Sequence, residues 1–188
     1  MPSCVVALVS FGKDSTKRLS RVLNRLSVDN RIVLPNETPT FEYTHIILSG
    51  GPKHVYEPNH YSMPQWVLDS KAPVLGVCYG MQLIAKTFGG TVTRMNIVEQ
   101  GPIEVTEMIG GNQVINVRWM NRFDQVVNIP PKFTITGVTN RNHIASFTDY
   151  ERWLAVQYHP EAKKHGDMSI FRRFLCLNNG NKCPVYLV

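Results

Sequence analysis

The stretch Val74-Leu75-Gly76-Val77-Cys78-Tyr79-Gly80-Met81-Gln82 decides the fold. Val74 to Val77 is a short apolar run that reads as a buried strand, and Met81 to Phe88 reads as a helix closed by Gly89-Gly90. Between them, Gly76-Val77-Cys78-Tyr79-Gly80 has the layout of a nucleophile elbow, a sharp strand-to-helix turn that lifts one reactive side chain above a sheet. A glycine on either side removes the crowding such a turn would otherwise suffer. The carboxyl edge where the turn emerges is where open α/β sheets bind their ligands. The start of a helix also favours thiolate, because the positive end of its dipole points there.

Working outward, β-branched runs alternate with helical patterns through the first half. Strands are predicted at Val5 to Val9, Arg31 to Leu34 and His45 to Leu48, with a helix over Lys13 to Leu26 and a short one over Pro64 to Ser70. The second half reads as strands at hairpin spacing: Val92, Ile103 to Met108, Gln113 to Val117, Thr134 to Val138, Ala145 to Phe147 and Leu154 to Tyr158. A closing helix spans Asp167 to Leu177. The expected fold class is α/β: a mostly parallel central sheet flanked by helices, with an additional antiparallel strand region. No repeat or linker interrupts it, so residues 1–188 are expected to form a single domain.

Hydrophobic residues make up 43% and charged residues 18%, which excludes a disordered or fibrous chain. No apolar run approaches the roughly 20 residues of a membrane span, and Met1-Pro2-Ser3-Cys4 does not read as a secretory leader. Twenty basic against fourteen acidic residues give +6. The cations stand in scattered pairs, so an acidic partner or a phosphorylated substrate is expected rather than nucleic acid. Of four cysteines, Cys4 and Cys176 read as passive and Cys183 as an ordinary thiol. No Cys-x-x-Cys pair occurs, which points to a reducing, cytoplasmic setting. His54 and His60, near Glu57, match no metal template and read as solvent-exposed, so no metal site is expected.

Three further features gather around Cys78. Gln82 lies one helical turn on, where its amide faces the same side. His159-Pro160-Glu161 follows an apolar strand, and residues two apart on extended backbone point the same way. His159 is therefore a candidate base for Cys78, with Glu161 orienting the imidazole. Gly50-Gly51-Pro52 ends another predicted strand, where backbone N–H groups, with that of Tyr79, suit an oxyanion.

With these residues in place, the sequence resembles the class I, triad-type glutamine amidotransferases, most nearly the glutaminase part of GMP synthetases. The resemblance is carried by Ile46-Ile47-Leu48-Ser49-Gly50-Gly51-Pro52, by Gly76 to Gln82, and by Val156-Gln157-Tyr158-His159-Pro160-Glu161. It implies a flavodoxin-like core and hydrolysis of glutamine to glutamate and ammonia by a Cys78-His159-Glu161 triad. Gly51 and Tyr79 would be the oxyanion donors, and Gly50 and Gln82 would bind substrate. The ammonia would pass to a separate ATP-pyrophosphatase synthetase subunit, which would hold ATP and magnesium; no cofactor is expected in this chain. Trp119-Met120-Asn121-Arg122-Phe123-Asp124 aligns with a family loop that binds glutamine, usually Trp-Met-Ser-His-Gly-Asp, which makes Asn121, Arg122 and Phe123 candidate substrate contacts and the chief departure. Glu99-Gln100-Gly101 follows a second family motif loosely. Ser10 to Ser15 mimics an ATP-pyrophosphatase loop but lacks a glycine and falls at the family's first strand-helix turn, so it is set aside. The same triad would serve an amidotransferase for another acceptor or a γ-glutamyl peptidase, and a regulatory subunit that has lost glutamine binding is the non-enzymatic alternative. The segment from Asn178 to Val188 matches no family motif.

Overall fold

The computed structural model describes residues 4–177; Cys183 and the segment from Asn178 onward lie outside them. Among the described residues, nine strands form one sheet in the order β2-β1-β3-β4-β9-β8-β7-β5-β6. Strands β1 (Val5–Val9), β2 (Asp29–Val33), β3 (His45–Leu48), β4 (Val74–Val77) and β9 (Trp153–Val156) pair in parallel. Strands β5 (Thr91–Ile109), β6 (Asn112–Asn128), β7 (Thr134–Thr139) and β8 (Ile144–Thr148) pair antiparallel and join through β8 to β9. The expected mostly parallel core with an antiparallel extension is therefore present.

Alternation along the buried strands supplies a core on each face. Val6, Leu8, Ile47, Leu75 and Val77 pack on one side with Leu19, Val22 and Leu23 of α1 (Lys13–Arg25) and Phe171, Phe174 and Leu175 of α4 (Met168–Cys176). Val9, Ile46, Leu48 and Val74 pack on the other with Val67 of α2 (Gln65–Asp69) and Met81, Leu83 and Ile84 of α3 (Tyr79–Thr87). Such strands, buried on both faces, are the reason these runs read as continuously apolar. Asp167 caps α4, its side chain accepting from the Ser169 and Ile170 amides.

Four expectations change. Pro64 is the residue before α2, at φ −61° and ψ 134°, rather than part of its first turn. The separate strands expected at Val92, 103–108 and 113–117 are parts of two long strands of 19 and 17 residues. These turn at Gly110-Gly111, both at positive φ, as a two-residue hairpin turn requires. Trp119 to Asp124, expected as a loop, runs inside β6, with Asn121 opposite Gln100 and Arg122 opposite Glu99. Its buried Arg122 is paired with Glu99 across the ladder and its buried Asp124 with His54 and Tyr56 of the loop after β3, so a polar stretch stays inside the sheet. Cys176 is disulfide-bonded rather than passive, whereas Cys4 and Cys78 are free.

At the elbow, β4 and α3 approach so closely that a Cβ on Gly76 would lie 2.5 Å from Ile84 Cδ1 and 2.8 Å from the Gly80 carbonyl carbon. A Cβ on Gly80 would strike the Leu48 carbonyl. Gly80→Ala should therefore cost about 1–3 kcal/mol, because backbone cannot give way as a flexible side chain would. A lowered urea midpoint at unchanged slope would register this; an unshifted midpoint would show that the helix can slide away from β3.

Candidate active site

Cys78 lies between β4 and α3 at φ 52° and ψ −104°, a conformation costly for a residue with a side chain. Its N–H donates to Val156 O at 2.8 Å and its carbonyl accepts from Gln82 N at 3.2 Å, so β9 and α3 hold the strained turn from both ends. Cys78 as a whole is 8% exposed, with Asn121 O 3.8 Å from its Sγ.

His159 follows β9, which stops at Val156, two residues short of the expected end. Its N–H donates to Trp119 O at 2.9 Å, so β6 fixes its backbone. The ring's Nδ1 is 2.8 Å from Glu161 Oε1, the contact expected from the two-residue spacing. Nε2 is buried with no hydrogen-bond partner among the described residues. Burial disfavours the imidazolium, but the nearby Cys78 sulfur, then Glu161, outweigh it and push His159 up to about 10. Cys78, His159 and Glu161 are thus brought together as one charge-coupled group.

The surroundings reveal residues the sequence reading passed over. Ser15 Oγ donates to Glu161 Oε1 at 3.1 Å and accepts from the Gly50 amide at 3.2 Å. Ser15 belongs to the Ser10–Ser15 segment set aside as a false nucleotide loop, and it anchors the acid of the triad. The signal available was its position in the first turn of α1, at the carboxyl end of a parallel strand. Asp124 is the second: buried, it accepts from Tyr56 OH at 2.9 Å and lies 2.6 Å from His54 Nδ1. His54 is therefore a paired residue holding the loop after β3 against β6, not a solvated one. No group of His, Cys, Asp or Glu among the described residues is arranged to hold a metal.

A cavity of about 350 Å³ opens beside Cys78, lined by Gly51, Gln82, Asn121, Phe123 and Asp124 among others. Gln82 donates Nε2 to Gln157 Oε1 at 3.2 Å, which orients its amide. Gly50 lies apart from the lining: a Cβ there would sit 3.3 Å from His159 Cε1, so it makes room for the imidazole. Arg122 is also among the lining residues, but its side chain has no solvent exposure and is bound to Glu99. Gly51 lines the cavity, and the Tyr79 N–H heads α3. The Tyr79 ring turns away, its hydroxyl bonded to the Tyr61 backbone and its phenol pushed up to about 12 by burial. A second cavity, about 450 Å³, lies behind Glu161 and Trp119. Arg18, Arg21 and Arg25 of α1 rim it with Lys163 and Lys164, and none of the five has an ion-pair partner among the described residues.

Residues 7–177 match the family described as glutamine amidotransferase class-I. The chain belongs to that family. Among relatives of this amidotransferase, a GMP synthase (glutamine-hydrolyzing) from Thermotoga petrophila is 34% identical over 175 residues, covering 88% of this chain and 34% of the relative. One from Xanthomonas campestris pv. campestris is 35% identical over 188 residues, covering 90% and 36%. The amidotransferase chain thus spans about a third of the length of these relatives. A solved structure from Thermoplasma acidophilum, provisionally described as one of the subunits of a GMP synthase, superposes with a TM-score of 0.80 at 28% identity and 93% coverage of both chains. A glutamine amidotransferase from Thermotoga maritima shares the fold, with a TM-score of 0.68 at 20% identity over 86% of this chain and 78% of that one.

A histidine raised this far adds stability in full below its ordinary value of 6.5 and loses it as pH climbs through about 10. In an NMR titration of labelled histidine, His159 should keep its proton through pH 8. Cys78→Ala should move its midpoint downward, since the largest raising influence is removed. A midpoint near 6.5 in both proteins would mean that no thiolate charge reaches the ring.

Proposed function

We propose that the chain is a single glutaminase domain that hydrolyses glutamine to glutamate and ammonia and delivers the ammonia to a separate synthetase subunit that makes GMP from XMP. The observation that carries the chemistry is the geometry: Cys78 on a strained strand-to-helix turn at the cavity wall, with a His159–Glu161 pair 2.8 Å apart at the end of the adjoining strand. In this reading, Cys78 Sγ attacks the side-chain amide carbon of glutamine. The developing oxyanion is met by the N–H groups of Gly51 and Tyr79. The His159 imidazolium gives its proton to the leaving nitrogen, so ammonia departs and a γ-glutamyl thioester remains. His159, now neutral, takes a proton from water as the water attacks the thioester, and glutamate is released. Glu161, steadied by Ser15, keeps the ring oriented throughout. Gln82, Asn121 and Phe123 line the space for the amino-acid end of the substrate, with Asp124 beside them.

The GMP branch draws support from the relatives of 34–35% identity, which are GMP synthases about three times this chain's length, and from a T. acidophilum neighbour matched over nearly its whole length. ATP and magnesium belong to the partner in this reading. The five unpaired cations around the second cavity support a docking face for an acidic partner surface. No helix among the described residues is long and apolar enough to cross a membrane. The free Cys4 and Cys78 support a cytoplasmic setting and the bonded Cys176 opposes it.

Ammonia release from glutamine tests this directly, with and without a separate GMP synthetase subunit loaded with XMP and ATP. Cys78→Ala should reduce release at least about 10³-fold, and Glu161→Gln should cost less than His159→Ala. Release that survives Cys78→Ala would refute the nucleophile assignment. Release that ignores the loaded partner would refute the acceptor. Reversing Arg18, Arg21 and Arg25 together to Glu should abolish stimulation by the partner while sparing partner-free release; retained stimulation would place the interface elsewhere.

A further inference from the structure

β6 closes one side of the sheet, with β5 as its strand neighbour among the described residues, and runs for 17 residues. On a regular antiparallel ladder every second residue turns its N–H and C=O away from the neighbouring strand. Two contacts show which residues of β6 these are: Trp119 N donates to His165 O at 3.1 Å, and Trp119 O accepts from His159 N at 2.9 Å. Asn121 continues the series, its carbonyl turned toward Cys78. Between Trp119 and the turn at Gly110-Gly111 the register with β5 is unbroken, so Gln113, Ile115 and Val117 also face outward. Among the described residues, no hydrogen bond from outside the hairpin takes up their three N–H and three C=O groups.

An open edge of this kind is a template for another strand, and proteins usually guard it with lysine, proline or a bulge. Asn112-Gln113-Val114-Ile115-Asn116-Val117 has none of these, since the register shift of the ladder lies farther along, between Arg94 and Glu99. The stretch also carries no charge. The next residue, Arg118, is buried against Glu107 and Asp167. Ile115 is 69% exposed and Val117 41%, with Val114, Met108 and Ile109 exposed beside them. The unpaired cations of the second cavity lie elsewhere, on α1 and after β9. An acidic partner therefore has nothing to grip here, whereas two molecules of net charge +6 approach each other at least cost along an uncharged seam.

The open stretch also matches itself. It covers residues 112–118, and its midpoint, Ile115, is one of the outward-facing residues. A two-fold axis there sets Ile115 of one copy against Ile115 of the other, and Gln113 against Val117, so every orphan N–H meets an orphan C=O. The next outward residue, Trp119, would fall beside Gly111 of the other copy. Each strand thus ends at its own turn, where the segment after β9 already fills the edge. We propose that β6 is a self-association edge: two copies of this chain pair antiparallel through residues 112–118 about a two-fold axis at Ile115, joining their sheets into one. So short a seam falls below the roughly 1,200–2,000 Å² of a standard interface, which makes this a weak dimer of micromolar affinity or above.

Sedimentation velocity on the full chain, from about 5 to about 500 µM, should show a monomer–dimer equilibrium. Over the same range, amide hydrogen exchange should slow most at Gln113, Ile115 and Val117. Ile115→Lys should hold the chain monomeric throughout at an unchanged melting temperature, because two lysines would then face each other on the axis. Gln113→Glu combined with Val117→Lys should keep the dimer and make it salt-sensitive, since each new anion meets a new cation across the seam. A wild-type chain still monomeric at the highest concentration, or a dimer indifferent to Ile115→Lys, would overturn the proposal. So would slow exchange at the three amides at every concentration, the mark of an edge capped within one chain. A double variant whose dimer ignores salt would refute the axis at Ile115.

Discussion

A strand and a helix meet at Cys78 with no space for a side chain on Gly76 or Gly80, and the cysteine is bent into positive φ to make the connection. Strain of this kind, of the order of 1–3 kcal/mol, persists only where the surroundings over-determine it. Here the hydrogen bonds from Cys78 to β9 and α3, and the packing of α3 across Leu48, do so. The result places one sulfur at the carboxyl edge of the sheet. There the segment after β3 contributes Gly51 and the segment after β9 contributes His159. The rest of the site is arranged about a point that the elbow sets.

What keeps those contributions in place is polar, although it lies inside the protein. Arg118 bonds Glu107 through Nη2 and Nε at 2.6 and 3.0 Å and lies 3.1 Å from Asp167. Tyr158, immediately before His159, offers its hydroxyl to both carboxylates. Burial with these two anions holds the Tyr158 phenol well above its ordinary range, so it remains a neutral donor. This cluster fastens the long hairpin to the start of α4 and to the end of β9. The Asp124–His54–Tyr56 group does the same between β6 and the loop after β3. Such buried networks specify one arrangement more than they add net stability.

The electrostatics of the site follow from that construction. Burial alone would strip His159 of its proton, yet the sulfur and Glu161 on either side of the ring keep it. The acid is itself tied to Ser15 on α1, so the first strand-helix turn of the chain and the segment after β9 meet in one chain of contacts, which the elbow sulfur joins through its charge. Three segments far apart in sequence thus share one charge arrangement, which single-residue reasoning cannot supply.

The parallel core was legible in the sequence because its strands are buried on both faces and its helices carry a clear apolar stripe; Val5–Val9, His45–Leu48 and Val74–Val77 came out to the residue. The elbow was legible because glycine at Gly76 and Gly80 has a local steric cause, and the His159–Glu161 pair because two-residue spacing is a property of extended backbone. The long hairpin was not, since Glu99, Arg118 and Arg122 look like surface charges until their partners across the ladder are known. The same holds for Ser15, whose role exists only through Glu161, 146 residues away. The sequence by itself therefore determined the parallel part of the sheet, the sulfur and the local geometry of each motif. Only the tertiary structure decided which charges are buried and whom they face, because ion pairing depends on distance in space and leaves no periodic trace along the chain.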